Sequence, residues 1–191
     1  ALTDLGNLFG AVKLYRACLA KGVKPILGVD LWMEPWGADV APPPSAVVDP
    51  SRVTTRLLVL AQNDDGYLAL CRLLARAWTT NVQRAQALVK WAWLAEYQQG
   101  LIALSGADSG ALGQALLQGD RERAAAIAGH LATVFNGRFY IELQRYGAPT
   151  NEPHVQAACQ LAAAMRLPVV ATHPVQFLEP DDYEAHEARV C

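Results

Sequence analysis

Short apolar segments alternate with stretches of helical periodicity along most of this chain, and this alternation restricts the fold more than any other feature. Short, continuously apolar segments predict strands that are buried on both faces, as in parallel sheets covered by helices. The predicted strands are residues 24–33, 56–61, 101–105, 138–144 and 168–172. The alternation therefore predicts an α/β fold, and a closed barrel and an open doubly wound sheet both fit it.

Two predicted helices near the amino terminus carry clear apolar faces. Asn7 is expected to cap the first helix, which ends at Gly22. The side chains of this helix that are expected to face the core are Leu8, Val12, Tyr15 and Leu19. Asn63 or Asp64 is expected to cap the second, with an inward face of Tyr67, Leu70, Leu74 and Trp78. Further helices are predicted at 88–97, 109–118 and 120–135, from Asn151 and from Pro180. Residues 34–53, which include three consecutive prolines, predict a loop.

Functional side chains of parallel α/β sheets lie at the carboxyl ends of the strands. Those ends are predicted to be Asp4, Asp30, Gln62-Asn63, Ser105-Gly106-Ala107, Gln144-Arg145 and Thr172-His173. A zinc or two-metal site needs at least three converging ligands. At these strand ends the candidate ligands are Asp4, Asp30 and His173. The common nucleotide-binding, hydrolase and metalloprotease motifs are missing from the sequence. The glycine-rich turn at 106–110 lacks the lysine of a phosphate loop, so we expect it to join a strand to a helix capped by Asp108 or Ser109.

Composition and charge exclude several classes of protein. Hydrophobic residues make up 52% and charged residues 18%, which excludes a disordered chain. No apolar run approaches the roughly 18 residues of a membrane-spanning helix, so no membrane partner is expected. The net charge is −2 without a basic stripe, so this chain is not expected to supply the main contact to nucleic acid. No cysteines form a C-x-x-C pair, which favours a reducing, cytoplasmic setting with buried thiols at Cys18, Cys71 and Cys159.

The first 30 residues, ALTDLGNLFGAVKLYRACLAKGVKPILGVD, resemble the PHP (polymerase and histidinol phosphatase) domain at the start of bacterial replicative DNA polymerase III alpha subunits. The segments LLVLAQNDDGY, GLIALSG, RFYIELQRYG, LPVVAT and YEAHEARV follow in the family's order. The resemblance implies a distorted seven-stranded (β/α) barrel that lacks its first strand here. Residues 1–191 are then expected to be one PHP domain fragment, truncated at both ends, with the polymerase catalytic domains downstream.

The same resemblance implies a metal site that has decayed. Metal-binding members carry ligands at the strand ends, and this sequence departs at most of these positions. Two acidic residues of this pattern, Asp4 and Asp30, are kept. The other positions hold Leu5, Arg56, Ala107, His173, Pro174 and Gln176. Leucine, alanine and proline side chains offer no lone pair, and Arg56 adds a fixed cation that we expect to pair with Asp30. No metal ion and no catalytic residue are therefore expected in this chain.

What the resemblance implies for function is a structural and subunit-interaction module. The implied partners are the polymerase core of the same chain, the proofreading exonuclease subunit, and DNA through other domains. Nucleotidyl transfer needs carboxylates that hold two metal ions, so magnesium is expected in the parent polymerase site.

Two alternatives remain open at this stage. One is a residual metal-dependent phosphoesterase that uses Asp4, Asp30 and His173, and the other is a small-molecule-binding barrel. An incomplete barrel leaves unpaired strand edges, which predicts dimerisation or aggregation of this fragment. A partner surface would be marked by the tryptophans Trp32, Trp36, Trp91 and Trp93 if these are exposed.

Overall fold

The computed structural model describes residues 1–37 and 54–190. Its strands are β1 (Leu2–Leu5), β2 (Leu27–Met33), β3 (Thr55–Ala61), β4 (Val82–Gln83), β5 (Gln86–Val89), β6 (Leu101–Leu104), β7 (Phe139–Gln144) and β8 (Val169–Thr172). Its helices are α1 (Ala11–Ala20), α2 (Asp64–Thr80), α3 (Trp91–Tyr97), α4 (Ala111–Leu117), α5 (Arg121–Val134), α6 (Asn151–Met165) and α7 (Tyr183–Val190). Short 3₁₀ turns form at Ala107–Ser109 and Pro180–Asp182.

The predicted alternation of strands and helices is confirmed, with one local exception. Residues 88 and 89 were expected at the start of a helix, but they belong to β5, which pairs with β4 as a hairpin. The helix prediction is correct only from Trp91 onward. The predicted loop at 34–53 lies outside the described residues from position 38, and so does Cys191.

The strands form one mixed sheet in the order β4-β5-β2-β3-β6-β7-β8, with β1 paired to β2 beside β5. Within the described ranges the sheet is not closed, because β8 pairs only with β7 and β1 only with β2. The predicted α/β class is confirmed, and among the described residues the sheet is open.

The strand β3 runs against both of its neighbours, and this reversal shapes the candidate site. β3 is antiparallel to both β2 and β6, whereas β1, β2, β5, β6, β7 and β8 share one direction. The amino end of β3, with Arg56, therefore lies at the edge where the carboxyl ends of its neighbours meet. The prediction that Gln62-Asn63 lies at that edge is wrong, because these residues follow the carboxyl end of β3, on the opposite side of the sheet. There the Asn63 side chain accepts a hydrogen bond from the Gly66 amide at 2.9 Å and caps α2.

Side chains alternate between the two faces of β2 and β3. Val29, Leu31 and Leu57 are fully buried in a core shared with α2 and α5. The other face carries half-buried residues, which are Asp30, Trp32, Arg56, Leu58 and Leu60. This second face is charged toward one end of the strands and apolar toward the other.

The predicted inward face of α1 is wrong in its helical part. Leu8 packs against the core from the preceding loop, and Ala11 is buried. Val12, Tyr15 and Leu19, however, are 58%, 45% and 56% exposed. The periodicity correctly marked an amphipathic helix, but no described element covers this side of it.

Several predicted burials also differ from the structure. Trp78 was expected to face inward, yet it is exposed, and its indole Nε1 donates to the carbonyl of Gly6 at 2.9 Å. Cys159 is exposed and therefore is not a buried thiol. Trp91 and Trp93 are buried, which removes them from any partner surface, whereas Trp32 and Trp36 are half-buried.

A candidate site at the carboxyl edge of the sheet

The centre of the candidate site is an ion pair between two strands. The Nη1 atom of Arg56 donates to Oδ2 of Asp30 at 3.0 Å. The antiparallel register places Arg56 opposite Trp32 and on the same face of the sheet as Asp30. Its guanidinium carbon also lies 5.0 Å from the centre of the Trp32 ring, a cation–π distance. The reversed strand therefore brings a cation to a carboxylate at this edge, as the sequence predicted.

Burial controls the protonation of Asp30. Removal of the carboxylate from water raises its pKa to about 6, the Arg56 guanidinium opposes that rise, and the charge of Glu142 adds to it. The Oδ1 atom is buried and has no hydrogen-bond partner among the described residues. Asp30 thus carries a charge that is only partly compensated.

Sequence reasoning missed Glu142, a fully buried carboxylate on β7. Its Oε2 atom accepts from the Gly106 amide at 3.1 Å, and its Oε1 atom accepts from Gln144 at 3.1 Å and from the Thr172 hydroxyl. Its backbone amide donates to the Ser105 hydroxyl at 2.9 Å. These contacts tie the carboxyl ends of β6, β7 and β8 together. A glutamate inside an otherwise apolar predicted strand was the signal that could have revealed it.

Asp4 has a local structural role. Its Oδ2 atom accepts from the Gly10 amide at 2.7 Å and so satisfies a donor at the start of α1. The register pairs Asp4 with Val29 and Leu5 with Asp30, so Leu5 shares the face of Asp30 and Asp4 lies on the other face. The structure therefore does not join Asp4 to Asp30.

The remaining positions that the resemblance marked as former ligand positions bring few donors. Ala107 is buried in a left-handed turn after Gly106, with φ of +47°. His173 and Gln176 are exposed, and Pro174 is half-buried. Across residues 1–37 and 54–190, no three His, Cys, Asp or Glu side chains lie close enough to hold a metal ion. With Asp30 bound to Arg56, the residues present do not fit a multi-ligand metal centre.

A second polar cluster adjoins the ion pair. The Oδ2 atom of Asp108 accepts from the hydroxyls of Tyr146 at 3.1 Å and Thr150 at 2.8 Å. Burial, followed by the nearby Asp108 charge, raises the pKa of the Tyr146 phenol. The predicted capping role of Asp108 or Ser109 is wrong, because α4 begins after Gly110 with no side-chain cap. Together with Trp32 and Arg56, this cluster lines a cavity of about 320 Å³.

The family follows from the comparison with known proteins. The sequence matches the PHP domain over residues 1–146. The chain belongs to the PHP domain family. Curated relatives named DNA polymerase III subunit alpha are 41% identical in Neisseria meningitidis serogroup A and 37% identical in both Pseudomonas aeruginosa and Escherichia coli. Each alignment covers 100% of this chain, but the chain spans only 15–16% of the length of these relatives.

Membership of the PHP family confirms what the strand-end segments predicted. The matched residues, 1–146, include Asp30, Arg56 and Glu142. None of the described helices combines the length and the apolarity that a membrane span requires.

Proposed function

We propose that this PHP domain is a non-catalytic structural and interaction module at the N-terminal end of a replicative DNA polymerase III alpha subunit. The ion pair between Asp30 and Arg56 carries the proposal. At a position where the resemblance implies a metal-binding carboxylate, Arg56 of this chain neutralises Asp30 instead. A second cation at the same carboxylate would be repelled by the guanidinium.

The proposed partners follow from the same assignment. They are the polymerase core of the same polypeptide and the proofreading exonuclease subunit, while DNA is bound through other domains and magnesium belongs to the polymerase site. Support comes from the exposed apolar side chains of α1, which favour contact with another protein. The proposal includes a cytoplasmic location, which agrees with cysteines that form no C-x-x-C pair.

An assay of phosphate-ester hydrolysis tests the absence of catalysis. The full-length protein is incubated with p-nitrophenyl phosphate and manganese, zinc or magnesium, beside Asp30→Ala and the control Glu152→Ala, which changes an exposed carboxylate. We expect the same background rate for all three proteins. A metal-dependent rate that Asp30→Ala abolishes, and that Glu152→Ala retains, would overturn the proposal in favour of a residual phosphoesterase.

A binding measurement tests the docking role separately. The full-length protein is titrated with its cognate exonuclease subunit by isothermal calorimetry, and the complex is then isolated by gel filtration. We expect a stable complex of one exonuclease per polymerase chain. Failure to form any complex would refute the docking role without affecting the conclusion on catalysis.

A further inference from the structure

A cavity of about 320 Å³ adjoins the ion pair at the carboxyl edge of the sheet. Its walls come from the amino end of β3, the turn after β6, α4, and the loop between β7 and α6. Two of the described residues that line it carry a charge, Arg56 and Asp108. The charge of Arg56 is opposed by Asp30 at 3.0 Å, whereas the described residues form no salt bridge with Asp108. The uncompensated charge of this cavity is therefore the carboxylate of Asp108.

Hydroxyl groups around Asp108 direct their protons toward its carboxylate. The hydroxyls of Tyr146 and Thr150 donate to Oδ2 at 3.1 and 2.8 Å. The hydroxyl of Ser109 donates to Oδ1 at 3.5 Å. A hydroxyl has one proton and two acceptor lone pairs, so a ligand in the cavity meets the lone pairs of these oxygens. The carboxylate and its three hydroxyl partners therefore form a set of acceptors that suits a ligand with several N–H donors.

An apolar wall belongs to the same cavity. It is formed by Leu117 of α4 and by the indole of Trp32, which is half-buried. Aliphatic cations place their methylene groups on such surfaces and keep the charged nitrogen at polar partners. An apolar wall, one carboxylate and several acceptors are together complementary to an alkyl chain that ends in an ammonium group, which has three donors and no acceptor.

We infer that this cavity binds an alkylammonium group, whose N–H groups donate to Asp108 and its hydroxyl partners while the alkyl chain lies along Leu117 and Trp32. A free aliphatic amine and the side chain of a lysine share this chemistry. The inference goes beyond the structural role proposed above, which assigns no ligand to the domain. An oxyanion is a poorer fit, because Arg56 is already paired with Asp30 and the hydroxyl protons are directed at Asp108.

The experiment measures the binding of small probes to the full-length protein by saturation-transfer NMR at pH 8. The probes are n-butylammonium, neutral 1-butanol and anionic butyrate, which are similar in length. We expect n-butylammonium to bind about fivefold more tightly than either of the others. This comparison on the wild type does not depend on the folding of any variant.

Two matched variants locate the site. Asp108→Asn removes the charge but keeps a carbonyl oxygen that can accept from Tyr146 and Thr150, and it is expected to bind n-butylammonium about fivefold more weakly. Glu122→Gln removes an exposed carboxylate of α5 and is expected to bind like the wild type. The melting temperature of each variant shows whether the fold is retained.

A third variant tests the charge balance of the cavity. Asp30→Asn leaves the Arg56 guanidinium uncompensated in the wall. The affinity for n-butylammonium is then expected to fall by about twofold or more, and the affinity for butyrate to rise, because like charges repel and opposite charges attract across the cavity. Unchanged affinities for both probes would contradict the assigned role of the ion pair in this cavity and overturn the inference.

Other results would also overturn the inference. If butyrate binds the wild type more tightly than n-butylammonium does, the cavity is an oxyanion site. If none of the probes binds, or if Asp108→Asn binds n-butylammonium as tightly as Glu122→Gln does, the cavity does not take an alkylammonium group. None of these results changes the outcome of the hydrolysis or exonuclease-binding tests, so the failure of this inference is distinguishable from that of the proposed function.

A second pair of probes distinguishes the two sources of the ammonium group. The affinity for 1,4-diaminobutane is compared with that for Nα-acetyl-lysine amide, which presents a lysine side chain as a polypeptide does. Tighter binding of the diamine would support a free amine as the ligand. Tighter binding of the lysine derivative would support a lysine side chain of a protein.

Discussion

Arg56 reaches Asp30 from a strand that runs in the opposite direction, with 3.0 Å between Nη1 and Oδ2. The two side chains differ in their surroundings, since Arg56 is 37% exposed and Asp30 only 18%. The second carboxylate oxygen of Asp30 is buried without a partner in the described part of the chain. Asp30 therefore depends on Arg56 for compensation of its charge.

Removal of the cation is expected to destabilise the domain. Arg56→Met keeps much of the aliphatic stem but leaves Asp30 as an unpaired, largely buried carboxylate. We expect the free energy of unfolding at pH 8 to fall by about 2 kcal/mol, less than for a fully buried pair because Arg56 is partly exposed. Urea denaturation followed by circular dichroism measures this change.

The exposed pair between Arg145 and Glu152 supplies the control for that experiment. Its side chains are 67% and 58% exposed, so water already screens their charges. Arg145→Met is expected to change the free energy of unfolding by less than about 0.5 kcal/mol. Equal losses for Arg56→Met and Arg145→Met would mean that burial of Asp30 has no energetic consequence.

The raised pKa of Asp30 predicts a pH dependence of stability. In the folded state Asp30 holds its proton up to about pH 6, whereas in the unfolded chain it loses the proton near the ordinary value of 3.8. The folded state binds more protons between these values, so the contribution of Asp30 to stability falls as the pH rises from about 4 to 6. The expected difference between the two ends of this window is at most about 3 kcal/mol.

The measurement compares the wild type with Asp30→Asn across that window. Burial lowers the pKa values of His130 and His154. Through these two groups the folded protein loses stability as the pH falls, which opposes the effect of Asp30. Both histidines are present in both proteins, so the difference between the two curves isolates Asp30. We expect Asp30→Asn to gain stability relative to the wild type from pH 4 to pH 6. Parallel curves would contradict the assignment of the raised pKa to this residue.

Two glycines in helices predict opposite responses to the same substitution. A Cβ atom at Gly66, in the first turn of α2, would lie 1.9 Å from the carbonyl oxygen of Gly100, which is backbone and cannot yield easily. A Cβ atom at Gly129, inside α5, would meet only the terminal methyl of Met165 at 3.9 Å. Gly66→Ala is expected to lower the free energy of unfolding by about 3 kcal/mol, and Gly129→Ala to raise it by about 1 kcal/mol.

Thermal and urea denaturation of the two alanine variants test this pair. Each variant is the control for the other, because both change glycine to alanine in a helix. A stabilising Gly66→Ala would show that the turn at Gly100 can move away from α2. A destabilising Gly129→Ala would show that the helical propensity of alanine is outweighed by packing at that position.

Local chemistry was sufficient to predict much of this fold. The strand segments were recognised because their apolar runs are short and bounded by turn residues, and Asn63 was recognised as a cap by its side-chain type. The pairing of Asp30 with Arg56 followed from their opposite charges at aligned family positions. These features depend on residues near each other in sequence, or on a family pattern.

Features that depend on the arrangement of whole elements were not predictable in this way. An apolar strand has the same composition in either direction, so nothing in the sequence of β3 indicated that it runs antiparallel. Periodicity shows that α1 has an apolar face, but it does not show whether another element covers Val12 and Leu19. Glu142 was missed because its partners, Gly106 and Thr172, come from two other strand ends.

The hairpin between β4 and β5 stores backbone strain that can be relieved. Its two turn residues, Arg84 and Ala85, have φ values of +48° and +63°, and Gln83 pairs with Gln86 across them. Two consecutive positive φ angles in a two-residue loop define a type I′ turn, for which asparagine followed by glycine is preferred. The double substitution Arg84→Asn with Ala85→Gly is therefore expected to raise the free energy of unfolding by about 1 kcal/mol.

Urea denaturation of this double variant is measured beside Ala92→Gly. Ala92 is an exposed residue of α3, where glycine is expected to cost about 1 kcal/mol because it loses more conformational entropy than alanine on folding. A gain in the hairpin together with a loss in the helix would show that the effect comes from the left-handed backbone of the turn. Destabilisation by both substitutions would mean that the side chain of Arg84 or Ala85 contributes more than the strain costs.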